Sequence, residues 1–360
     1  MVEWVFDAGN WYDKQPMVAA TTNFLIKNGT TSKTAYQIND FFEFHGAYLN
    51  RSCYNETASI TLHCLSKHLE TLLPVVREII ETSIFPEQEL GIYIQNQKQR
   101  LSVNLQKCDF IANRLIDEYL FGIDHPYGKY AMQEDYKNVT LADLTAFYDT
   151  YYKHGKCIIF MAGKFPTDML ELLNKHIGQL PLNKKVIANV THPIVSAAQK
   201  QYSVVNDASS VQGSIRIARH FPNRHHPDFA PTQVLNNIFG GFFGSRLQKN
   251  IREEKGFTYG ISSSIVPMLR AGYWVVGTDV ANENVAETCD EIRKEMRRLQ
   301  VEKVGQEELE LVKNYLMGSF TGELTQAFDI AEKIKVIQME NLPLDFYDQF
   351  QTQIIACTSE

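Results

Sequence analysis

Several large protein classes are excluded by what the sequence lacks. Its six cysteines, at positions 53, 64, 108, 157, 289 and 357, include no C-x-x-C pair, so we expect free thiols rather than a disulfide scaffold or a structural zinc ribbon. Basic residues number 35 against 42 acidic ones, giving a net charge of −7 without a basic stripe, and nucleic acid is therefore not an expected partner. No apolar run approaches the ~18 residues of a membrane helix, so no membrane span is expected.

Common catalytic motifs are missing as well. The sequence has no G-x-G-x-x-G between a strand and a helix, no G-x-S-x-G, and no pair of histidines spaced as in H-x-x-E-H. Its only histidine cluster, His220, His225 and His226, has no cysteine nearby and lies in a predicted turn. We interpret this cluster as a solvated turn, and a separate zinc site there is the least favoured alternative.

The chain length and the alternation of helix and strand patterns predict two domains. At about 150 residues per domain, 360 residues suggest two. Periodicity fades between 181 and 200, which we interpret as a linker between a first domain, 1–180, and a second, 201–360. Helices interspersed with hairpins predict an α+β fold with mixed, largely antiparallel sheets. The predicted helices cover 16–28, 34–45, 69–80, 86–119, a segment around 141–147, a segment ending near 177, and 228–239; the predicted strands cover 58–64, 156–163, 203–205 and 214–218.

The two halves of the sequence resemble each other at a nearly constant offset. Glu89-Leu90 matches Glu308-Leu309 at an offset of 219 residues, and further pairs follow at the same spacing. Helix–turn–helix blocks closed by Gly46 in one half and Gly256 in the other correspond at an offset of 210. The order and spacing of these matches predict duplication of an α/β unit.

The segment most informative about chemistry is 240–260, GGFFGSRLQKNIREEKGFTYG. It predicts a flexible glycine loop, a short amphipathic helix that ends at Gly256, and a strand that begins at Phe257. Arg252 would then lie in the last helical turn and Tyr259 early in the strand, side by side at one corner. Both side chains are hydrogen-bond donors that can stabilise an oxyanion or hold a peptide carbonyl. The alternative is a charged helix end beside a half-buried strand aromatic.

This segment resembles the G-G-x-x-x-S-R-L…R-E-x-x-G-x-x-Y signature in the second domain of M16 (pitrilysin/insulinase-type) metallopeptidases. In that family the arginine and the tyrosine, seven residues apart, line the active site, and Arg252 and Tyr259 match them in type and spacing. The resemblance implies a LuxS/MPP-like fold of two duplicated domains, truncated here at both ends. Further matches in the family's order are Gly29-Thr30, Phe44-His45-Gly46-Ala47, Phe85-Pro86-Glu87, His125-Pro126-Tyr127-Gly128 and Ala162-Gly163.

The sequence departs from the family at the zinc-binding motif. In active members H-x-x-E-H precedes the Gly-Thr pair, and the corresponding positions here are Ala20, Asn23 and Phe24. Two imidazoles one turn apart and a glutamate base are needed for the chemistry, and none is present. The third ligand, a glutamate, would fall near positions 99–101, where Gln99, Arg100 and Leu101 stand. We therefore expect no metal in this chain.

Loss of the zinc ligands with retention of the arginine and tyrosine resembles two-chain M16 enzymes that divide the active site. The resemblance implies that this chain is the non-zinc subunit of a heterodimeric peptidase, with zinc held by an H-x-x-E-H partner. Arg252 and Tyr259 would act in trans, on unfolded peptides taken up as an extra strand at a sheet edge. The expected substrate-binding residues are Gly240, Gly241, Gly244 and Arg246; the glycines either give the loop mobility or serve only a tight turn.

Two alternatives from other functional classes stay open. One is an inert structural or assembly subunit, as in the core subunits of respiratory complexes that share this fold. The other is a peptide-binding module that works alone. The start of the sequence lacks a signal-peptide pattern, but an exported chain after cleavage would look the same, so we expect either a cytoplasmic or a periplasmic location.

Overall fold

The computed structural model describes residues 1–185 and 190–359. The strands are β1 Val2–Phe6, β2 Tyr48–Cys53, β3 Ala58–His63, β4 Cys157–Met161, β5 Gln212–His220, β6 Ile261–Pro267 and β7 Gly272–Ala281. The helices are α1 Val18–Leu25, α2 Ala35–Phe44, α3 Leu69–Thr82, α4 Glu87–Asn104, α5 Cys108–Phe121, α6 Asp135–Asn138, α7 Leu141–Tyr148, α8 Met169–His176, α9 Phe229–Asn236, α10 Val285–Val301, α11 Gln306–Gly322, α12 Ala327–Glu340 and α13 Phe346–Ala356. Three π-helical turns, Asp149–Lys153, Asn237–Gly241 and Gln248–Glu254, extend or interrupt this pattern.

The chain divides into two compact units. Residues 1–102 and 130–193 form the first, and residues from 103 to 129 group with those from 194 onward in the second. Residues 103–129, which include α5, fall inside the predicted first domain, and the boundaries 1–180, 181–200 and 201–360 stay a prediction. Positions 186–189 of the predicted linker lie outside the described residues.

The first unit is built on a four-stranded sheet in the order β2-β3-β1-β4, with every pairing antiparallel. The central strand β1 is buried along its whole length, and Trp4 pairs with Ile60 on one side and Ile159 on the other. Apolar residues of α1, α2, α3 and α7 pack against this sheet, and burial of their side chains is the main stabilising contribution.

The second unit has a three-stranded antiparallel sheet in the order β5-β7-β6. Its core joins Val276 of β7 and Ile261 of β6 to two fully buried side chains, Leu247 and Ile251, from the segment before β6. Helix α5 lies against β5, where Arg216 Nε donates to Asn113 Oδ1 at 2.7 Å. The order β6-β7-β5 corresponds to the order β2-β3-β1 of the first sheet, and duplication of an α/β unit stays a prediction.

The predicted α+β architecture with largely antiparallel sheets is confirmed, and three local predictions are wrong. The helical tract 86–119 is two helices, because residues 105–107 break it between α4 and α5. Residues 203–205 form no strand, and Val204 and Val205 are exposed rather than packed on a sheet. The strand predicted to begin at Phe257 begins at Ile261.

Over the part of the chain that the structure describes, no helix combines the length and the apolarity needed to cross a bilayer.

Candidate functional site

The corner that carries Arg252 is formed by a π-helical turn anchored in the core. Leu247 and Ile251 are fully buried and hold the turn Gln248–Glu254 against the sheet of the second unit. Gly256 follows two residues after the turn, and its φ of +67° is a conformation that favours glycine. The Phe257 amide then donates to the Ile251 carbonyl at 3.1 Å. Short π-helical turns recur at functional sites because they redirect side chains.

Arg252 is held by two contacts that leave part of its guanidinium open. Nε donates to the backbone carbonyl of Tyr259 at 3.0 Å, and the guanidinium carbon lies 4.3 Å from the centroid of the Phe243 ring. The nearest carboxylate, that of Glu253, is 4.0 Å from Nη1, too far for a hydrogen bond. Among the described residues, neither terminal nitrogen of Arg252 has a hydrogen-bond acceptor. Both are available to a ligand.

Tyr259 is presented almost entirely to solvent. Its side chain is 97% exposed, and its phenol has no hydrogen-bond partner within the described ranges. The prediction that Tyr259 lies early in a strand is wrong, because contacts from a side chain to the backbone replace backbone strand pairing at this point. The Thr258 hydroxyl lies 3.0 Å from the Gly260 carbonyl oxygen and 2.8 Å from that of Asp279 in β7. This local bonding keeps Tyr259 two residues ahead of β6, and the half-buried aromatic of the alternative interpretation is not observed.

The predicted glycine loop is packed rather than open at its first two positions. Gly240 is buried in the turn Asn237–Gly241, and a Cβ at this position would lie 2.7 Å from the Cβ of Ser263 and 2.9 Å from a methyl carbon of Leu247. At Gly241 a Cβ would meet the Asn237 side chain at 2.9 Å. Gly244 faces the ring of Phe242, where a Cβ would lie 2.7 Å from the nearest carbon. Close packing explains these glycines, and a role in substrate binding stays a prediction.

Arg246 makes a two-pronged ion pair with Glu308 of α11. Nε donates to one carboxylate oxygen at 2.9 Å and Nη2 to the other at 2.7 Å. The hydrogen bonds from Arg246 lower the pKa of Glu308 below its usual value, against the opposing effect of burial. This guanidinium is therefore occupied within the chain, and any contribution to substrate binding would come through the loop that it fixes.

The positions that correspond to the zinc motif lie on α1 of the first unit and contain no metal ligand. Asn23 is buried and donates through Nδ2 to a carbonyl oxygen of β3 at 3.2 Å. The ring of Phe24 packs on Tyr93 of α4, with 4.6 Å between the two ring centroids. The guanidinium carbon of Arg51 lies 4.7 Å from the centroid of the Phe24 ring. Ala20, one turn before Phe24, supplies only a methyl group. Aromatic packing thus replaces the imidazole pair, and these residues do not fit zinc.

The charge near α1 also opposes cation binding. Burial lowers the pKa of Arg51 to about 10, and burial together with the Arg51 charge lowers the pKa of Lys27 to about 8. On α4, Gln99 and Arg100 are exposed and Leu101 is buried, so no carboxylate replaces the third ligand. In residues 1–185 and 190–359, no three His, Cys, Asp or Glu side chains are grouped to hold a metal ion.

The histidine cluster of the second unit has structural contacts. His220 Nε2 lies 2.8 Å from the Leu120 carbonyl oxygen, and the His226 ring nitrogen lies 3.2 Å from the Asp228 amide. His225 and His226 lie in the turn before α9 and are exposed, which agrees with the interpretation of this segment as a solvated turn.

Two residues at this site escaped sequence reasoning. Phe243, nine residues before Arg252, contacts its guanidinium, and Glu308 pairs with Arg246 from a helix 62 residues away. Nothing in the local pattern signals either contact, because both depend on how distant segments pack. A buried arginine does need a carboxylate, but the sequence offers many candidates.

This chain is similar to proteins of one family by sequence and by fold. Residues 138–316 match the family model described as the peptidase M16 inactive domain. An uncharacterized zinc protease of Rickettsia felis is 24% identical over 302 residues, which covers 80% of this chain and 69% of the relative. A protein of Helicobacter pylori named non-peptidase homolog YmxG is 23% identical over 306 residues, which covers 82% of this chain and 68% of the relative.

A solved structure gives the same result for the whole chain. The crystal structure of a peptidase M16 inactive domain from Pseudomonas fluorescens superposes with a TM-score of 0.87 at 26% sequence identity. The match covers 99% of this chain and 87% of the other.

Proposed function

Because the chain belongs to the peptidase M16 family, we propose that it is the non-zinc subunit of a heterodimeric M16 peptidase. It would contribute Arg252 and Tyr259 to an active site whose metal is held by the H-x-x-E-H motif of a partner chain. The complex would degrade or process unfolded peptides. Neither chain would be active alone.

The observation that carries this proposal is the state of the two donors. The guanidinium of Arg252 is fixed in place, yet its terminal nitrogens have no acceptor among the described residues, and the phenol of Tyr259 is 97% exposed. Holding an arginine in one conformation while leaving its donors unused is a cost for a purely structural side chain, because arginine carries substantial rotamer entropy. The arrangement suits a site that is completed by other atoms.

Each donor has a distinct proposed role. Arg252 holds a substrate carbonyl near the scissile bond through its free terminal nitrogens. Tyr259 donates a hydrogen bond to the oxyanion that develops as that bond is attacked. The strand β6, which begins two residues after Tyr259, is an outer strand of its sheet. The Ile261 and Ser263 carbonyls already accept from Gln248 and Asn236, so an extended peptide would pair with other backbone groups of β6.

The remaining site residues support this arrangement. Gly240, Gly241 and Gly244 would serve the site by allowing the loop before Arg252 to pack closely on this chain's own side chains. Arg246, through its ion pair with Glu308, fixes the C-terminal end of that loop on α11.

An inert structural subunit is the second candidate. It is favoured by the match to the inactive-domain model and by the name of the Helicobacter pylori relative, a non-peptidase homolog. The peptide-binding module of the sequence analysis would differ from both by holding peptides without any partner.

Co-expression with an M16 chain that carries H-x-x-E-H, sought first in the neighbouring reading frames, tests these alternatives. The split enzyme predicts that the two chains purify together and cleave unfolded peptides, whereas each chain alone does not. If the two chains form a complex but the partner cleaves peptides equally well without this chain, the structural role is favoured. Peptide binding by the isolated chain, without cleavage by any combination, would favour the binding module.

A further inference from the structure

Phe243 is a large aromatic residue that remains mostly exposed in a segment whose neighbours are packed. Its side chain is 63% exposed, although it lies between Phe242, which packs on α11 residue Tyr315, and the close-packed Gly244. Exposure of so large a ring gives up the stabilisation that burial would provide. The contact that it does make is with Arg252, whose guanidinium carbon lies 4.3 Å from the ring centroid.

Arg252 is held at two separate points. The bond from Nε to the Tyr259 carbonyl, at 3.0 Å, fixes one nitrogen of the guanidinium. The guanidinium carbon lies over the Phe243 ring, 4.3 Å from its centroid. A hydrogen bond together with a ring contact restricts the guanidinium more than either contact alone. Nη1 and Nη2 keep no acceptor among the described residues.

We propose that Phe243 is a positioning residue that orients Arg252 for its peptide ligand. The inference rests on the proposed function for the role of Arg252, but the contact itself belongs to this chain alone. Phe243 need not touch the substrate: its ring attracts the cation and holds the terminal nitrogens toward the site. Leucine at this position would keep much of the apolar volume and lose the attraction.

The proposal predicts a particular kinetic signature. A substrate carbonyl held by Arg252 is present in the ground state and in the transition state, so weaker positioning of Arg252 raises KM and leaves kcat nearly unchanged. For an exposed cation–π contact the expected rise is roughly two- to fivefold. Tyr259, which serves the oxyanion, would instead affect kcat.

The test compares Phe243→Leu with Phe243→Tyr in the assembled complex. Phe243→Leu should raise KM by roughly two- to fivefold, whereas Phe243→Tyr should retain the wild-type KM because its ring also attracts a cation. In an Arg252→Met background, Phe243→Leu should have no further effect, as a double-mutant cycle requires of residues that act through one another. The proposal is overturned if Phe243→Leu raises KM equally with and without Arg252. It is also overturned if Phe243→Tyr raises KM as much as Phe243→Leu does.

A spectroscopic measurement separates this inference from the proposed function. In the isolated chain, the ring current of Phe243 should shift the Nε–H resonance of Arg252 upfield from its position in Phe243→Leu. The resonance is assigned by its loss in Arg252→Lys. Phe243→Tyr should keep the wild-type position. An unshifted resonance in the wild-type chain overturns the positioning role whatever the complex does. A shifted resonance in a chain whose complex cleaves no peptide supports the positioning of Arg252 and contradicts the proposed function.

Discussion

Tyr259 combines features that are rare in a structural tyrosine. Its ring is almost wholly in water, and its backbone carbonyl accepts the Nε–H of Arg252. The nearby hydroxyl of Thr258 lies within hydrogen-bond distance of two backbone carbonyl oxygens and helps to hold the bend in which Tyr259 lies. At the scale of single residues, the site is therefore a rigid backbone corner with a phenol projecting from it.

Replacing Tyr259 with phenylalanine should remove the oxyanion donor and little else. Loss of one such donor typically lowers kcat by about 10²–10³-fold, and the complex should lose activity to that extent with KM largely retained. The free energy of unfolding should not change measurably, because the phenol is exposed. Steady-state peptide cleavage by the complex measures the effect.

Tyr36→Phe provides the control for that experiment. Tyr36 lies on α2 of the first unit and is 77% exposed, so its variant removes a solvated phenol from a unit other than the one that carries Arg252. We expect wild-type kcat from it. A Tyr259→Phe complex as active as the Tyr36→Phe complex would reject the assigned role.

The ion pair between Arg246 and Glu308 makes a second residue-scale prediction, for stability and pH. The pKa of Glu308 is lowered in the folded chain, so the pair stabilises the fold above the carboxyl's unfolded pKa of about 4.3 and is lost as pH falls below it. Glu308→Gln should reduce the free energy of unfolding at pH 7 by at most about 1.5 kcal/mol, given the partial exposure of Glu308.

Urea unfolding between pH 3 and pH 7 checks this expectation. The difference between wild type and Glu308→Gln should narrow as the pH falls toward 3, because protonation removes the same charge from the wild-type carboxylate. Glu310→Gln, in the same helix, is the matched control, since Glu310 is exposed and lies 3.4 Å from Lys313. A difference that stays constant across this pH range would show that the charge of Glu308 is not what stabilises the loop.

At the scale of elements, local signals determined some boundaries and failed at others. Helix α2 begins where predicted because Thr34 forms a capping box with Gln37, and it ends before Gly46, whose φ is +59°. The sequence predicts a single helix over 86–119, because residues 105–107, where the structure breaks it into two, contain no glycine or proline.

The corner before β6 shows why part of the site could not be predicted. The local pattern of segment 240–260 predicts that Arg252 and Tyr259 share a corner, and the bond between Arg252 Nε and the Tyr259 carbonyl joins them. The exposure of Tyr259 depends instead on Thr258 reaching the Asp279 carbonyl in β7, 21 residues away. Such bonds between side chains and distant backbone groups leave no periodic pattern in the sequence.

Gly240 supplies the prediction for this scale. A Cβ at this position would lie 2.7 Å from Ser263 and 2.9 Å from Leu247, so Gly240→Ala should lower the free energy of unfolding by about 1–3 kcal/mol. Gly318→Ala, within α11 where nothing lies within 4 Å of the added carbon, should raise it by up to about 1 kcal/mol. Thermal or urea unfolding distinguishes them, and equal effects would mean that Gly240 is not needed for packing.

At the scale of the whole molecule, each unit has its own sheet and its own core, and their chemistry differs. The first unit carries α1, where Ala20, Asn23 and Phe24 stand at the positions of the zinc motif and the Phe24 ring contacts Tyr93 and Arg51. The second unit carries the open donors of Arg252 and Tyr259. The family, its fold and the loss of the zinc motif could all be predicted from the sequence, since each depends on residue types at fixed spacing.

The most direct test of the divided active site is a titration of the H-x-x-E-H partner with this chain, measured as the rate of peptide cleavage. The account predicts no cleavage by either chain alone and a rate that rises to saturation at one chain of each kind. Turnover by the isolated chain with a stoichiometric metal held by its own side chains, or a partner whose rate does not depend on this chain, would contradict it.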